Sequence, residues 1–178
     1  MRLFYAALFH PSTLDNFWDI QEELKAVGVQ GRFISRDNLH LTLHFLGETD
    51  EGELCRLTDR LDEVARTFCP EPLKLTRTGF FRQGRGELLY AGVEDSSGSL
   101  GEAARLLRDD SVKEDRHRFK PHITLVRNAT VPGDLRRTLG SRSFPFPARP
   151  VQALALMESR PGRGGVIYIP LHRVGFPL

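Results

Sequence analysis

Cysteine is scarce: the 178 residues contain two, Cys55 and Cys69. Two thiols make no disulfide framework, and on one helix they would stand roughly 20 Å apart at ~1.5 Å per residue, so both are expected to be free. Long apolar runs are also missing, none approaching the ~18 residues of a spanning helix. The opening stretch Met1 to Phe9 is too short and too poorly charged for a secretory leader. A cytoplasmic protein with no membrane partner is expected. Charge of one sign is not in excess, since Lys plus Arg at 25 against Asp plus Glu at 23 leaves +2. That balance excludes a protein that coats nucleic acid, so any such contact is local. Arg82, Arg85, Arg116, Arg118 and Lys120 are candidates for a basic rim, because guanidinium forks suit phosphate oxygens. Gly-x-x-x-x-Gly-Lys-Ser/Thr, Gly-x-Ser-x-Gly and Cys-x-x-Cys are absent, which removes nucleoside triphosphatases, serine hydrolases and zinc ribbons.

The remaining composition, 40% hydrophobic and 27% charged, is that of a soluble globular chain forming one domain or two small packed lobes. Arg2 to Phe9 reads as a buried strand. Pro11 and Ser12 follow as stop and N-cap of a helix whose apolar stripe is Leu14, Phe17, Trp18, Leu24 and Val27, closed by Gly28. Leu54, Leu57, Leu61, Val64, Ala65 and Phe68 mark a second helix ended by Pro70, and Ser99 to Arg108 a short third. Strands are expected at Leu73 to Gly79 and Glu87 to Val93, joined by a Gly- and Arg-rich loop from Phe80 to Gly86 that reads as a hairpin or flexible rim. Phe144 to Pro147, Val151 to Glu158 and Val166 to Leu171 supply the last strands, with Arg160 to Gly165 as a turn-rich connector.

Two segments carry the chemistry. In Leu39 to Leu46 the residues Leu39, Leu41, Leu43 and Phe45 alternate with His40, Thr42 and His44, the pattern of a strand with one apolar and one polar face. In the second half of the chain His122, Thr124 and Val126 alternate with Ile123, Leu125 and Arg127. Both runs read His, aliphatic, Thr, Leu. With 6 histidines in the chain, even one such tetrapeptide is expected well under once by chance, so two point to duplication. Residues two apart on a strand project about 6 to 7 Å apart from one face, which puts a hydroxyl beside each imidazole. Face to face, two such pairs line a cleft suited to a phosphodiester. One neutral imidazole takes a proton from water, and one protonated imidazole gives a proton to the leaving oxygen. The threonine hydroxyls donate to the phosphate oxygens, and Arg127 adds charge if its strand ends or bulges to turn it inward. No metal or other cofactor is demanded. A helical reading would put His40 and His44 at i, i+4 for Zn²⁺ with His122, but the leucine alternation argues against it and no Glu follows His40. His44 is taken as peripheral, and His10, His117 and His172 receive no role.

These motifs, within Asn38-Leu-His-Leu-Thr-Leu-His-Phe-Leu-Gly47 and Phe119-Lys-Pro-His-Ile-Thr-Leu-Val-Arg127, resemble the two-histidine phosphoesterase superfamily, in its RNA 2′,3′-cyclic phosphodiesterase (2′-5′ RNA ligase-like) branch. The likeness extends to Arg2-Leu-Phe-Tyr-Ala6, Thr78-Gly-Phe-Phe-Arg82 and Val166-Ile-Tyr-Ile-Pro-Leu171. The lead-in Phe33 to Asp37 departs from the aromatic or proline-rich stretch common there. The resemblance implies an α+β fold in which two pseudo-symmetric lobes, each an antiparallel sheet backed by helices, enclose a V-shaped cleft. Residues 1–178 would then form one bilobal domain, with motif 40–43 in one lobe and motif 122–125 in the other. It further implies metal-independent opening of an RNA terminal 2′,3′-cyclic phosphate to a 2′-phosphate, with reverse 2′-5′ ligation by the same groups. His40 would be the general acid and His122 the general base, with Thr42, Thr124 and Arg127 on the phosphate. Expected partners are RNA ends or short oligonucleotides bearing the cyclic phosphate, and the chain is expected to be a monomer. The motifs alone leave open a phosphodiesterase for another small cyclic or 2′-5′ linked nucleotide, and a non-catalytic module that binds RNA ends.

Overall fold

The computed structural model describes residues 1–83, 86–108, 119–141, 149–162 and 165–177. Arg85, Arg116, His117, Arg118 and the strand expected at Phe144 to Pro147 lie outside the described residues. The apolar run Arg2–Phe9 forms β1, followed by α1 (Pro11–Ala26), β2 (Gln30–Phe33), β3 (Leu41–Glu48), α2 (Leu54–Thr67), β4 (Lys74–Gln83) and β5 (Gly86–Glu94). Then come α3 (Ser99–Leu106), β6 (His122–Thr130), α4 (Leu135–Ser141), β7 (Val151–Gly162) and β8 (Gly165–Gly175). The strands make one antiparallel sheet in the order β4-β5-β6-β3-β1-β7-β8, with β2 also on β6. This α+β architecture is the expected fold class.

The helix starts one residue before the expected cap. His10 takes that place, its Nδ1 accepting from the Ser12 amide at 3.2 Å, and Pro11 stands at the first helical position, where its fixed φ suits the turn. Asp15 binds Arg36 at 2.7 Å and ties α1 to the turn before β3. The buried face of α1 is Thr13, Phe17, Ile20, Gln21 and Leu24. Trp18 and Val27 fall outside that stripe and are exposed. The helix ends at Gly28, whose φ of 92° an L side chain rarely adopts.

On α2 the predicted stripe is buried at Leu57, Leu61, Val64 and Ala65. Burying each such leucine contributes about 1.5–3 kcal/mol. Tyr5 reaches this helix from β1, its hydroxyl donating to the Leu57 carbonyl at 2.9 Å. Alternation along β1 therefore divides the molecule. Leu3, Tyr5 and Ala7 join the main core, whereas Phe4 and Ala6 pack with Ala155 and Met157 on the opposite face, where the cleft opens.

Both connectors expected to be loops are largely strand. β4 and β5 stay paired out to Gln83↔Gly86, and β7 and β8 out to Gly162↔Gly165. Cys55 and Cys69 are exposed free thiols, as expected.

Candidate active site

The two motif strands are shaped by the same irregularities. In β3, Thr42 pairs with Ala6 but His44 pairs with Tyr5, so Leu43 is an extra residue that no β1 residue opposes. In β6, Thr124 pairs with Tyr90 and Val126 with Leu89, so Leu125 is the extra residue at the equivalent place. A β-bulge of this kind reverses the facing of the residues after it. His44 accordingly turns into the core and is 3% exposed, correcting the expectation that it shares a face with His40. Phe45 turns the other way. It was expected among the core leucines, yet it is 48% exposed and lines the cleft. Arg127, expected on the face away from His122 unless the strand bulged, is brought round by the Leu125 bulge. A second register shift occurs further along each strand, at Leu46 and at Asn128, the latter with φ 50°. The duplication thus extends past His-x-Thr-Leu: each histidine is followed five residues later by a cleft side chain, Phe45 on one side and Arg127 on the other.

His40, Thr42, His122, Thr124 and Arg127 all line one cleft of about 470 Å³. Its charged lining is cationic, with Arg2, Arg32, Arg82 and Arg127 and no carboxylate among the lining residues. Each imidazole is fixed by the carbonyl two residues before it. Nδ1 of His40 donates to the Asn38 carbonyl and Nδ1 of His122 to the Lys120 carbonyl, both at 2.7 Å. A carbonyl only accepts, so the neutral rings carry their proton on Nδ1 and present a bare Nε2. The Nε2 of His40 lies 3.1 Å from the Thr42 hydroxyl.

Aromatic rings wall both histidines. Phe4 and Tyr168 each stand 4.9 Å from the His40 ring, and Phe81 and Tyr90 stand 4.9 and 5.2 Å from His122. Phe81 stacks on Tyr90 at 4.3 Å. Gly79 makes that arrangement possible, because a Cβ there would stand 2.3 Å from the Tyr90 ring. Lys120 donates to the Tyr90 hydroxyl at 2.7 Å. Burial in this setting pulls the His40 imidazole down from 6.5 to about 4, with the Arg127 and His122 charges adding to the effect and the Asn38 carbonyl opposing it. Burial also lowers His122, again with Lys120 and Arg127 contributing.

Sequence reasoning missed the aromatic walls and Arg32, since nothing in their spacing marks them. It also missed Gln21, a buried side chain on α1 whose amide donates to the Ile34 and Leu125 carbonyls at 2.9 Å each, and so braces the bulge that turns Arg127. Asn38 was visible only as part of the first motif. Its side chain donates to the Val166 carbonyl at 2.8 Å and accepts from the Tyr168 amide at 3.2 Å, which holds β8 against the entrance to β3. His10 caps α1 and His172 binds Asp62 at 2.7 Å, both away from the cleft.

A family model described as LigT like Phosphoesterase matches residues 9–90, which contain the first motif. An RNA 2′,3′-cyclic phosphodiesterase of Archaeoglobus fulgidus is 34% identical over 157 residues, 81% of this chain and 84% of its own. The chain belongs to the LigT-like phosphoesterase family. A second member, the Escherichia coli K12 RNA 2′,3′-cyclic phosphodiesterase, is 31% identical over 80% of this chain and 78% of its own. Among solved LigT-like structures, that of E. coli LigT in its apo form superposes with a TM-score of 0.76 at 27% identity, over 98% of this chain and 96% of its own. E. coli LigT has also been solved with 3′-AMP, matching at a TM-score of 0.68 and 26% identity over 99% and 98% of the two chains.

Proposed function

We propose that this protein is an RNA 2′,3′-cyclic phosphodiesterase that opens the cyclic phosphate to a 2′-phosphate with a His/His acid-base pair. The observation that carries this reading is the paired His-x-Thr geometry, in which two equally held imidazoles and two threonines line one carboxylate-free cationic cleft. The chain is then a single bilobal unit with one motif in each of two related lobes. Thr42, Thr124 and Arg127 hold the non-bridging phosphate oxygens and draw off the charge that develops on them. His122 Nε2 takes a proton as water attacks phosphorus. The bond from phosphorus to O3′ breaks, and His40 delivers its proton to that oxygen, leaving a 2′-phosphate and a 3′-hydroxyl. In the reverse sense, a 5′-hydroxyl in place of water yields a 2′-5′ linkage.

Two features support His40 as the acid. The exposed ring of Phe45 offers a nucleobase platform on the His40 side, whereas Lys120 already lies over the Phe81 and Tyr90 rings beside His122, 5.1 and 5.2 Å from their centres. A ribose lying toward Phe45 sets O3′ nearer His40. The His40 proton is acquired with the substrate, whose anionic phosphate offsets the repulsion from Arg127.

The test is turnover of a short RNA ending in a 2′,3′-cyclic phosphate, in the presence of EDTA, with the product terminus identified by ³¹P NMR. A 2′-phosphate is the expected product, formed at the same rate with and without the chelator. His40→Ala and His122→Ala should each cost at least on the order of 10²-fold. A 3′-thio substrate, whose leaving group needs no proton, should restore most of the loss in His40→Ala and little of that in His122→Ala; the opposite pattern would exchange the two roles. Near-normal rates in either variant would sink the acid-base pair.

A further inference from the structure

Arg32 on β2 is the direct cross-strand partner of Arg127 on β6, so two guanidinium groups share the cleft face. Like charges opposed in this way are destabilising unless an anion lies between them. The Arg32 side chain makes no hydrogen bond or ion pair among the described residues and extends across to the start of β8, where a Cβ on Gly165 would stand 3.4 Å from its terminal nitrogen. Beyond it lies a second cavity of about 250 Å³, which shares Arg32, Arg127, Val166 and Tyr168 with the catalytic cleft. Ser35 and Asn38 give this cavity a polar edge, and Ile167, 46% exposed, an apolar wall. Among the described residues no carboxylate lines it, nor does either motif histidine or threonine.

We infer that this cavity is a subsite for the nucleoside immediately 5′ of the reacting terminal nucleotide, with Arg32 as the anchor for the phosphate that joins the two. The inference rests on the activity proposed above. Arg127 belongs to the reacting phosphate, so the next anion along the chain is the one that meets Arg32. The wall is formed before any ligand arrives, because both amide atoms of Asn38 are engaged in holding β8. Such preorganisation favours an oligonucleotide end over a free nucleotide.

The experiment compares kcat/KM for uridine 2′,3′-cyclic phosphate, for a uridine dinucleotide ending in the same group, and for that dinucleotide with an uncharged methylphosphonate linkage. The wild-type protein should favour the charged dinucleotide over the mononucleotide by about tenfold or more, mainly through KM. Arg32→Gln and the methylphosphonate should each remove most of that preference, and the two together should remove little more than either alone. Loss of activity on mononucleotide and dinucleotide alike in Arg32→Gln, or the absence of any wild-type preference, overturns the subsite. Failure of the wild-type protein to open any of the three would overturn the activity itself, and the subsite with it.

Discussion

Each cleft imidazole takes its orientation from a backbone carbonyl and its acidity from burial, and the two effects oppose one another. The carbonyls of Asn38 and Lys120 favour the protonated ring, while desolvation and the neighbouring cations outweigh them at both positions. Catalysis by the pair needs one neutral and one protonated ring. Both rings titrate below 6.5 in the free protein, His40 at about 4. As pH rises past these values both become neutral, and well below them both become charged. The profile of kcat/KM is therefore expected to peak on the acid side of 6.5 and to decline through neutrality. Bound phosphate raises both values, so the kcat profile should lie at higher pH than the kcat/KM profile. Rates measured across the acidic and neutral range check both statements, and a kcat/KM optimum well above 7 would contradict the burial argument.

At the scale of the element, the bulge decides what the strand presents. The alternation of His40 and Thr42 with leucines identifies a strand and its faces, and the repeat at His122 and Thr124 identifies the cleft. Those parts were legible because side-chain period and strand geometry coincide. The facings of Phe45 and His44 were not, and that of Arg127 was open until the bulge was seen, because an extra residue leaves the local composition unchanged and reverses every facing beyond it. The reversals between β4 and β5 and between β7 and β8 were legible, but their strands run on to Gln83↔Gly86 and Gly162↔Gly165, because glycine marks a reversal of the chain but not its length. The Leu125 carbonyl at the bulge is held from outside β6, by the Ile34 amide just after β2 and by the Gln21 side chain on α1, at 2.9 Å each. Gln21→Leu removes a donor shared by the Ile34 and Leu125 carbonyls and should destabilise the fold by about 0.5–1.5 kcal/mol, read as a lower Tm. Because the bulge aims Arg127, the same variant should raise KM for the cyclic phosphate about tenfold while lowering kcat less. A lower Tm with unchanged KM would mean that the bulge persists without its brace.

For the whole molecule, charge is a matter of placement rather than amount. A net +2 gives no long-range field, yet one cleft gathers four arginines beside two histidines with no carboxylate in its lining. That arrangement depends on folding: Arg2 comes from β1, Arg32 from β2, Arg82 from β4 and Arg127 from β6. Glu48 and Glu87, which pair across the sheet with Arg2 and Arg82, are absent from the cavity wall. A cleft built this way attracts small anions of any kind and keeps its charge for close contact, because counter-ions screen it over about 8–10 Å at ordinary salt. Inorganic phosphate and sulfate are therefore expected to inhibit competitively, raising KM and leaving kcat unchanged. Added potassium chloride should raise KM more steeply for the dinucleotide than for the mononucleotide, since log affinity falls with log salt by about 0.7 for each phosphate neutralised on a single strand. Steady-state rates over a salt series measure both slopes. Equal slopes would place only one phosphate in the cationic cleft, whereas a difference near that value is expected if the arginines from separate strands hold two.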